Sequence, residues 1–316
     1  MTRFLGRRLA GLVAVLLATS FLVFASVYLA PGSPESFLLQ GKTVDAATVQ
    51  AIRTEYHLDD PFLQRYSQWL GGMLQGDMGR SLIFRQDVSG LVASRVATTF
   101  YLTLYASILI LVLGIALGAV AAVRGGRIDS GVLVATSGAA AAPAFVAAIV
   151  LITVFGVQLG WLPVFGAGHG LAGRLSHLTL PAIALALSWI GLLARVTRSA
   201  MIDELAREHV QTARSRGLPE RSIVRRHGLR NALIPIVTVS GLTVAGLISG
   251  AVVVENAFAL NGLGSLLLQS VTTKDFPVVQ AISLILVAAF VVINTLVDVL
   301  YPLIDPRIKL GGKTEK

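Results

Sequence analysis

The sequence predicts an all-α integral membrane protein with six transmembrane helices, and three observations carry that prediction. Hydrophobic residues make up 54% of the chain and charged residues only 14%, against about a quarter charged in an ordinary soluble domain. Six apolar stretches are each long enough to cross a hydrocarbon core of about 30 Å, which takes about 20 residues of helix. Lys and Arg collect in every second connection between those stretches, the bias that orients a membrane protein.

The first span, from Leu9 to Ala30, follows Arg3, Arg7 and Arg8. A secretory signal also begins basic, but its apolar core runs only about 7 to 15 residues and ends at a small-residue cleavage site. This run is longer and lacks such a site, so it reads as a retained anchor. A long loop follows, from Pro31 to Ala97. In it Ile52, Tyr56, Phe62, Tyr66, Trp69, Leu70 and Met73 recur at spacings that suit amphipathic helices, broken at Pro61 and at Gly71-Gly72. It is either a packed extracytoplasmic cap or a cover over the mouth of a pathway. The remaining spans run from Thr98 to Val123, Gly131 to Val157, Leu178 to Ala194, Ala232 to Val254 and Val278 to Leu303. The chain thus divides into a first helix with its loop (1–97), a helical core (98–303) and a tail (304–316).

Orientation follows from the short connections, because cytoplasmic loops carry the excess of Lys and Arg. The N-terminus has three arginines, the turn at Arg124 and Arg127 two, the segment from Arg195 to Arg230 nine, and the tail after Tyr301 four basic residues. The intervening short connections hold only Arg174 and Lys274. Both termini and the arginine-rich segment are therefore expected in the cytoplasm. The long first loop, with six basic and seven acidic residues, does not alter this, since long loops translocate largely regardless of charge. The net charge of +9 is accounted for by this placement and does not indicate nucleic acid.

The working groups of an enzyme are missing. Gly41-Lys42-Thr43 and Gly312-Lys313-Thr314 lack the glycine and the preceding strand of a phosphate-binding loop. His57, His169, His177, His209 and His227 have no metalloprotease spacing, and there is no GxSxG nucleophile turn. With no cysteine, neither a disulfide framework nor thiolate metal ligation is available. An ion-coupled carrier normally keeps ionisable groups within its spans; here only Asn294 is central, with Glu255 and Asp298 near span ends. Asn294 is expected to make an interhelical hydrogen bond, with substrate contact as the other reading. Gly114 with Gly118, and Gly246 with Gly250, have the small-xxx-small spacing that brings helices close.

One polar segment interrupts the core. Ile202 to Arg216 contains no breaker and predicts a helix, Gly217 suits its left-handed C-terminal position, and Pro219 with Glu220 marks the start of a second short helix to about Arg230. The result is a projecting knuckle carrying Arg214, Arg216, Arg221, Arg225, Arg226 and Arg230. Such a surface serves topology and anionic lipid, or it docks a cytoplasmic protein whose carboxylates pair with guanidinium groups.

The segment from Glu208 to Leu218 (EHVQTARSRGL), continued by His227-Gly-Leu-Arg-Asn-Ala-Leu-Ile-Pro235, resembles the cytoplasmic loop of permease subunits of dipeptide, oligopeptide and nickel ABC importers. Gly76-Asp77-Met78-Gly79-Arg80-Ser81, Glu255 to Gly264 (ENAFALNGLG), Asp275-Phe-Pro-Val-Val-Gln280 and Asp298 to Arg307 (DVLYPLIDPR) are similar to other segments of that family, in the same order. In the wider superfamily the loop reads EAA, three residues, Gly, nine residues, I-x-L-P. Aligned at Gly217, this chain has Gln211-Thr212-Ala213 in place of EAA and His227-Gly228-Leu229-Arg230 in the last part. Ala213, Gly217 and Leu229 match; Gln211 and Arg230 depart as the peptide and nickel branch does.

The resemblance implies the fold of a type I ABC importer permease. It also implies an ATPase-coupling loop comprising Glu208, Gln211, Thr212, Ala213, Arg214, Gly217, Leu218, Leu229 and Arg230. The expected partners are a second homologous permease, two ATP-binding subunits that hold ATP and magnesium, an extracytoplasmic solute-binding protein and membrane lipid. No cofactor is expected on this chain, and no metal site. The expected cargo is a di- or oligopeptide, with a nickel chelate or glutathione as alternatives. A self-contained channel or carrier, or a scaffold that moves no solute, remains as a reading of another class.

Overall fold

The computed structural model describes residues 2–29, 50, 60–81 and 83–304. Ile52 and Tyr56, both Gly-Lys-Thr triplets, the tail 305–316 and the side chain of Asp298 lie outside them. Among the described residues the regular structure is helical, with one isolated bridge between Arg80 and Asp87.

The first helix, α1 (Thr2–Leu29), packs beside the last and carries an aromatic seam for α2 (Phe62–Leu74). Phe21 meets Phe62 edge-on at 5.7 Å and Tyr66 at 5.4 Å, Phe24 meets Trp69 at 5.4 Å, and the Ser20 and Tyr66 hydroxyls lie 2.8 Å apart. Such ring pairs contribute roughly 0.5–1.5 kcal/mol each beyond their buried area. The long second span, α3 (Val88–Arg124), widens into π-helical geometry over Ile110–Gly114.

The third expected span is not one straight helix. It is two, α4 (Gly126–Ala141) and α5 (Ala144–Gln158), bent by 99° at Ala142-Pro143. Proline disfavours α geometry in the residue before it, and Ala142 is accordingly extended at ψ 121°. The hydroxyl of Ser188 donates to the freed Ala142 carbonyl at 3.2 Å, which makes the break tolerable away from water. The pair still passes from one end of the bundle to the other. Gly126 adjoins Arg124, while the chain beyond Gln158 places Gly166 to His169 beside Ser94 and Tyr101 of α3.

The axis of the bundle is α6 (Gly170–Leu205), which contributes Leu178, Leu180, Leu185, Leu193 and Met201 to the principal core. Because lipid tails are as apolar as leucine, helices in membranes associate through close packing, and glycine permits it here. A Cβ on Gly118 would stand 2.6 Å from Thr197 Cβ, and one on Gly191 would run into the Thr136 carbonyl of α4. Both expected glycine pairs face α6: Gly114 meets Leu193, Gly118 meets Ala194 and Thr197, Gly246 meets Trp189 and Gly250 meets Leu185. Beyond α6 come α7 (Glu208–Ser215), α8 (Glu220–Ile223, continuing as π-helix over Val224–Leu229), α9 (Leu233–Ala257), α10 (Leu263–Thr272) and α11 (Phe276–Ile304). A second core joins Val88, Leu91 and Val92 of α3 to Leu263 and Leu266 of α10 and Val278, Ala281 and Ile282 of α11.

Candidate functional site

At the arginine-rich end α6 stops at Leu205, and Arg207 is extended at φ −68° and ψ 150°. The helix expected from Ile202 to Arg216 is therefore broken at Arg207, whose guanidinium pairs with Glu204 at 2.9 Å. The break turns Val210 and Ala213 of α7 against Ile223 and Leu205, apolar contacts that supply the reason for leaving the line of α6. Gly217 has φ +76° with no atom within 4 Å of a would-be Cβ, so backbone conformation alone selects glycine there. The Gly217 N–H donates to the Arg214 carbonyl at 2.9 Å and the Leu218 N–H to that of Ala213 at 3.3 Å, a double closure of the helix end. Pro219 is extended at ψ 137° and precedes α8, with Glu220 as first helical residue.

Arg214 and Glu220 close the turn as an ion pair at 2.7 Å. Its hydrogen bonds from the Arg214 guanidinium, then the charge of that group, hold the Glu220 carboxyl below the ordinary carboxylate range and raise Arg214 in turn. The predicted loop residues fall into two sets. Ala213 is buried and Leu229 half-buried against the α6 core. Glu208, Gln211, Thr212, Leu218 and Arg230 are exposed, as are Arg216, Arg221, Arg225 and Arg226. Thr212 donates to the Glu208 carbonyl at 3.0 Å and Gln211 to that of Ala206 at 3.4 Å. Gly228 rests on Leu205 and Met201, which seats α8 on the end of α6. The knuckle is thus a small domain-like projection with a hydrophobic seat, a fixed turn and a basic outer face.

The two intramembrane candidates lie elsewhere. Among the described residues Asn294 makes no bridge between helices: its amide donates to the Phe290 carbonyl one turn back at 2.9 Å, the local side-chain-to-backbone bond open to Asn within a helix. Glu255 is fully buried and accepts from Thr99 Oγ1 of α3 at 2.6 Å and from the Ser265 N–H in the first turn of α10 at 3.0 Å. Thr99 Oγ1 in turn accepts from the Leu263 N–H at 2.8 Å. A carboxyl at a helix N-terminus satisfies orphan amides and complements the helix dipole. Gly262 leaves the room it needs, since a Cβ there would overlap the Glu255 carboxyl. Nearby, Ser81 donates to the buried Asp275 at 2.5 Å and tethers the first loop.

At this same end two cavities lie either side of Asn261. One, of about 560 Å³, is lined by Tyr101, Gly166, His169, Arg174, His177 and Asn261 among others. The Arg174 guanidinium sits over the Tyr101 ring at 4.1 Å, and His177 Nδ1 is 2.9 Å from the Phe165 carbonyl. The other, of about 490 Å³, is lined by Arg95, Asn261, Gln269 and Thr272 among others. In the sequence Arg174 is a lone charge in a short connection, and the cluster of glycines at 166, 168 and 170 is the available sign of a shaped loop.

Residues 114–310 match the family described as binding-protein-dependent transport system inner membrane component, and residues 1–103 match that family's N-terminal component. The chain belongs to this family. Like its family, this inner membrane component is a multi-pass transport permease that works with a solute-binding protein and an ATPase. It is 41% identical over 313 residues to a Brucella abortus (strain 2308) protein named as a peptide transport system permease, covering 98% of this chain and 99% of the relative. It is 40% identical over 311 residues to the glutathione transport system permease protein GsiC of Pectobacterium atrosepticum, with the same coverage of each. Its fold is similar to that of a chain of the MetNI methionine ABC transporter, solved in inward-facing conformations, with a TM-score of 0.58 over 68% of this chain and 96% of that one at 19% identity. The fold class expected from the sequence, an ABC importer permease, is the one found.

Proposed function

We propose that this permease forms half of the translocation pathway of an ATP-driven importer of di- and oligopeptides, with a second homologous permease as the other half. Both termini and the knuckle lie in the cytoplasm, and the Glu255 end opens outward. Two ATPase subunits, which carry the ATP and magnesium, bind the knuckle through Glu208, Gln211, Thr212, Arg214, Leu218 and Arg230, while Ala213, Gly217 and Leu229 hold its shape. Their closure on ATP moves the knuckle and switches the spans between inward and outward access. An extracytoplasmic binding protein delivers the solute. Exposed apolar side chains such as Val112, Ile149 and Val150 face lipid.

The observation that carries this reading is the build of the knuckle: a fixed hydrophobic seat on the end of α6 beneath a wholly exposed basic and polar face. Peptide cargo is supported by the names of the relatives, and glutathione, itself a tripeptide, falls within the class. Gentle detergent extraction of the tagged chain, followed by mass spectrometry of the intact complex, tests the assembly. Recovery with two ATPase subunits and a second permease is expected. Recovery alone or as a homo-oligomer sinks the proposal.

A further inference from the structure

The Arg174 cavity has a chemical character that its size alone does not convey. Its lining contributes a guanidinium and two imidazoles, from Arg174, His169 and His177, and no acidic side chain. Among the described residues Arg174 pairs with no carboxylate; it is held by the Tyr101 ring, which positions the cation without neutralising it. The loop of residues 166–169 leads directly into the first turn of the 36-residue helix α6, whose N-terminal amides add positive potential at the same place. Across Asn261, Arg95 repeats the pattern: its guanidinium lies over Phe84 at 5.6 Å and its buried Nη1 has no hydrogen-bond partner. A buried N–H of a cation left unpaired is costly. Among the described residues that line the second cavity the one acid is Glu255, whose carboxyl is taken up by Thr99 and Ser265.

Resting on the peptide-importer reading above, we propose that the Arg174 cavity is a receiving site on the permease for the free carboxylate of the incoming solute, with Arg174 as the group that pairs with it. A carboxylate is the one anionic group common to peptides of every sequence, so a site built on it accepts many side chains while selecting for a free acid end. Arg174 presents the planar fork that matches a carboxylate. Tyr101 and the α6 N-terminus pre-set it, and Asn261 separates it from the second cation at Arg95.

The test uses proteoliposomes holding the assembled transporter with its binding protein, and two probes, dialanine and dialanine C-terminal amide. The readout is the ratio of acid to amide uptake; because variant and wild type share one binding protein, that protein's own preference cancels when their ratios are compared. Arg174→Gln is expected to lower the ratio about tenfold, the loss of one charge-assisted hydrogen-bonded pair. Arg174→Lys, which keeps the charge without the fork, is expected to fall between the two. A ratio unchanged in both variants overturns the proposal, as does an equal loss of both probes, which would assign Arg174 to contact with a partner protein. Wild-type vesicles that hydrolyse ATP yet take up neither probe overturn the peptide reading and this site together, whereas wild-type uptake with indifferent variants overturns the site alone.

Discussion

At the Glu255 end of the bundle, buried polar bonds run between elements far apart in sequence: Thr99 to Glu255, Leu263 to Thr99 and Ser81 to Asp275. At the knuckle, Val210, Ala213 and Ile223 form the whole buried core, and the ion pair that closes its turn stands in solvent. The first region cannot rearrange without exposing unpaired polar groups to an apolar surrounding, where each costs about 1–3 kcal/mol. The second can shift as a unit while keeping its internal contacts. Elements that move in a working cycle come from the less stably anchored parts of a structure, and the contrast assigns stiffness to one end and mobility under load to the other.

The sharpest way to break the comparison is at Glu255. Glu255→Ala strips Thr99 Oγ1 and the Ser265 N–H of their acceptor, and about 3 kcal/mol of stability should be lost. A melting curve of the detergent-solubilised protein checks it, and an unchanged midpoint would mean that the Glu255 hydrogen bonds add nothing to stability. Gly118→Val should cost about 2 kcal/mol by overpacking against Thr197 and Ala194, read in the same melt. Gly217→Val is the converse case. Positive φ costs a non-glycine residue about 1–2 kcal/mol, but no neighbour is struck, so the strain stays in the knuckle. The melt should fall by no more than that strain while uptake in reconstituted vesicles is lost; normal uptake by correctly inserted Gly217→Val would remove Gly217 from the coupling role.

The smallest effect is expected at Arg214 and Glu220, an exposed pair worth no more than about 0.5 kcal/mol. Because the folded state lowers the Glu220 pKa, its contribution is present above the ordinary carboxylate range and is lost as pH falls through the lowered value. A double-mutant cycle with Arg214→Ala and Glu220→Gln, followed by chemical denaturation at neutral and strongly acidic pH, should therefore show coupling at the former only.

Most of the architecture was legible because membrane crossing demands long apolar runs, and the π-helical stretches and short helices do not change that count. The 99° bend was not legible: the run from Gly131 to Val157 reads as one span, and the break at Pro143 depends on Ser188 from another helix satisfying Ala142. The knuckle's turn was legible at Gly217 because left-handed backbone nearly names its residue. The break at Arg207 was not, since nothing local forbids helix there and the contact of Val210 with Ile223 decides it. Glu255 read as a lone polar group near a span end; that it caps a helix and binds Thr99, 156 positions away, is a tertiary fact. Arg174 was similarly opaque, because the cavity around it is assembled from α3, α6 and the Asn261 loop.

One consequence follows from α6 being a single helix. At 1.5 Å per residue its 36 residues extend about 54 Å, well beyond the hydrocarbon thickness of about 30 Å. Arg174 lies in its first turns and Glu204 at its last. The contacts at Gly191 and, through Gly118, at Ala194 and Thr197 grip it, leaving arms of about 25 Å toward Arg174 and about 10 Å toward Glu204. It has the proportions of a lever with unequal arms. A tilt of a helix held in this way would carry the Arg174 end further than the knuckle end and in the opposite sense, with Pro181, which donates no helical hydrogen bond, as the weak place in the main chain between the grip and the cavity.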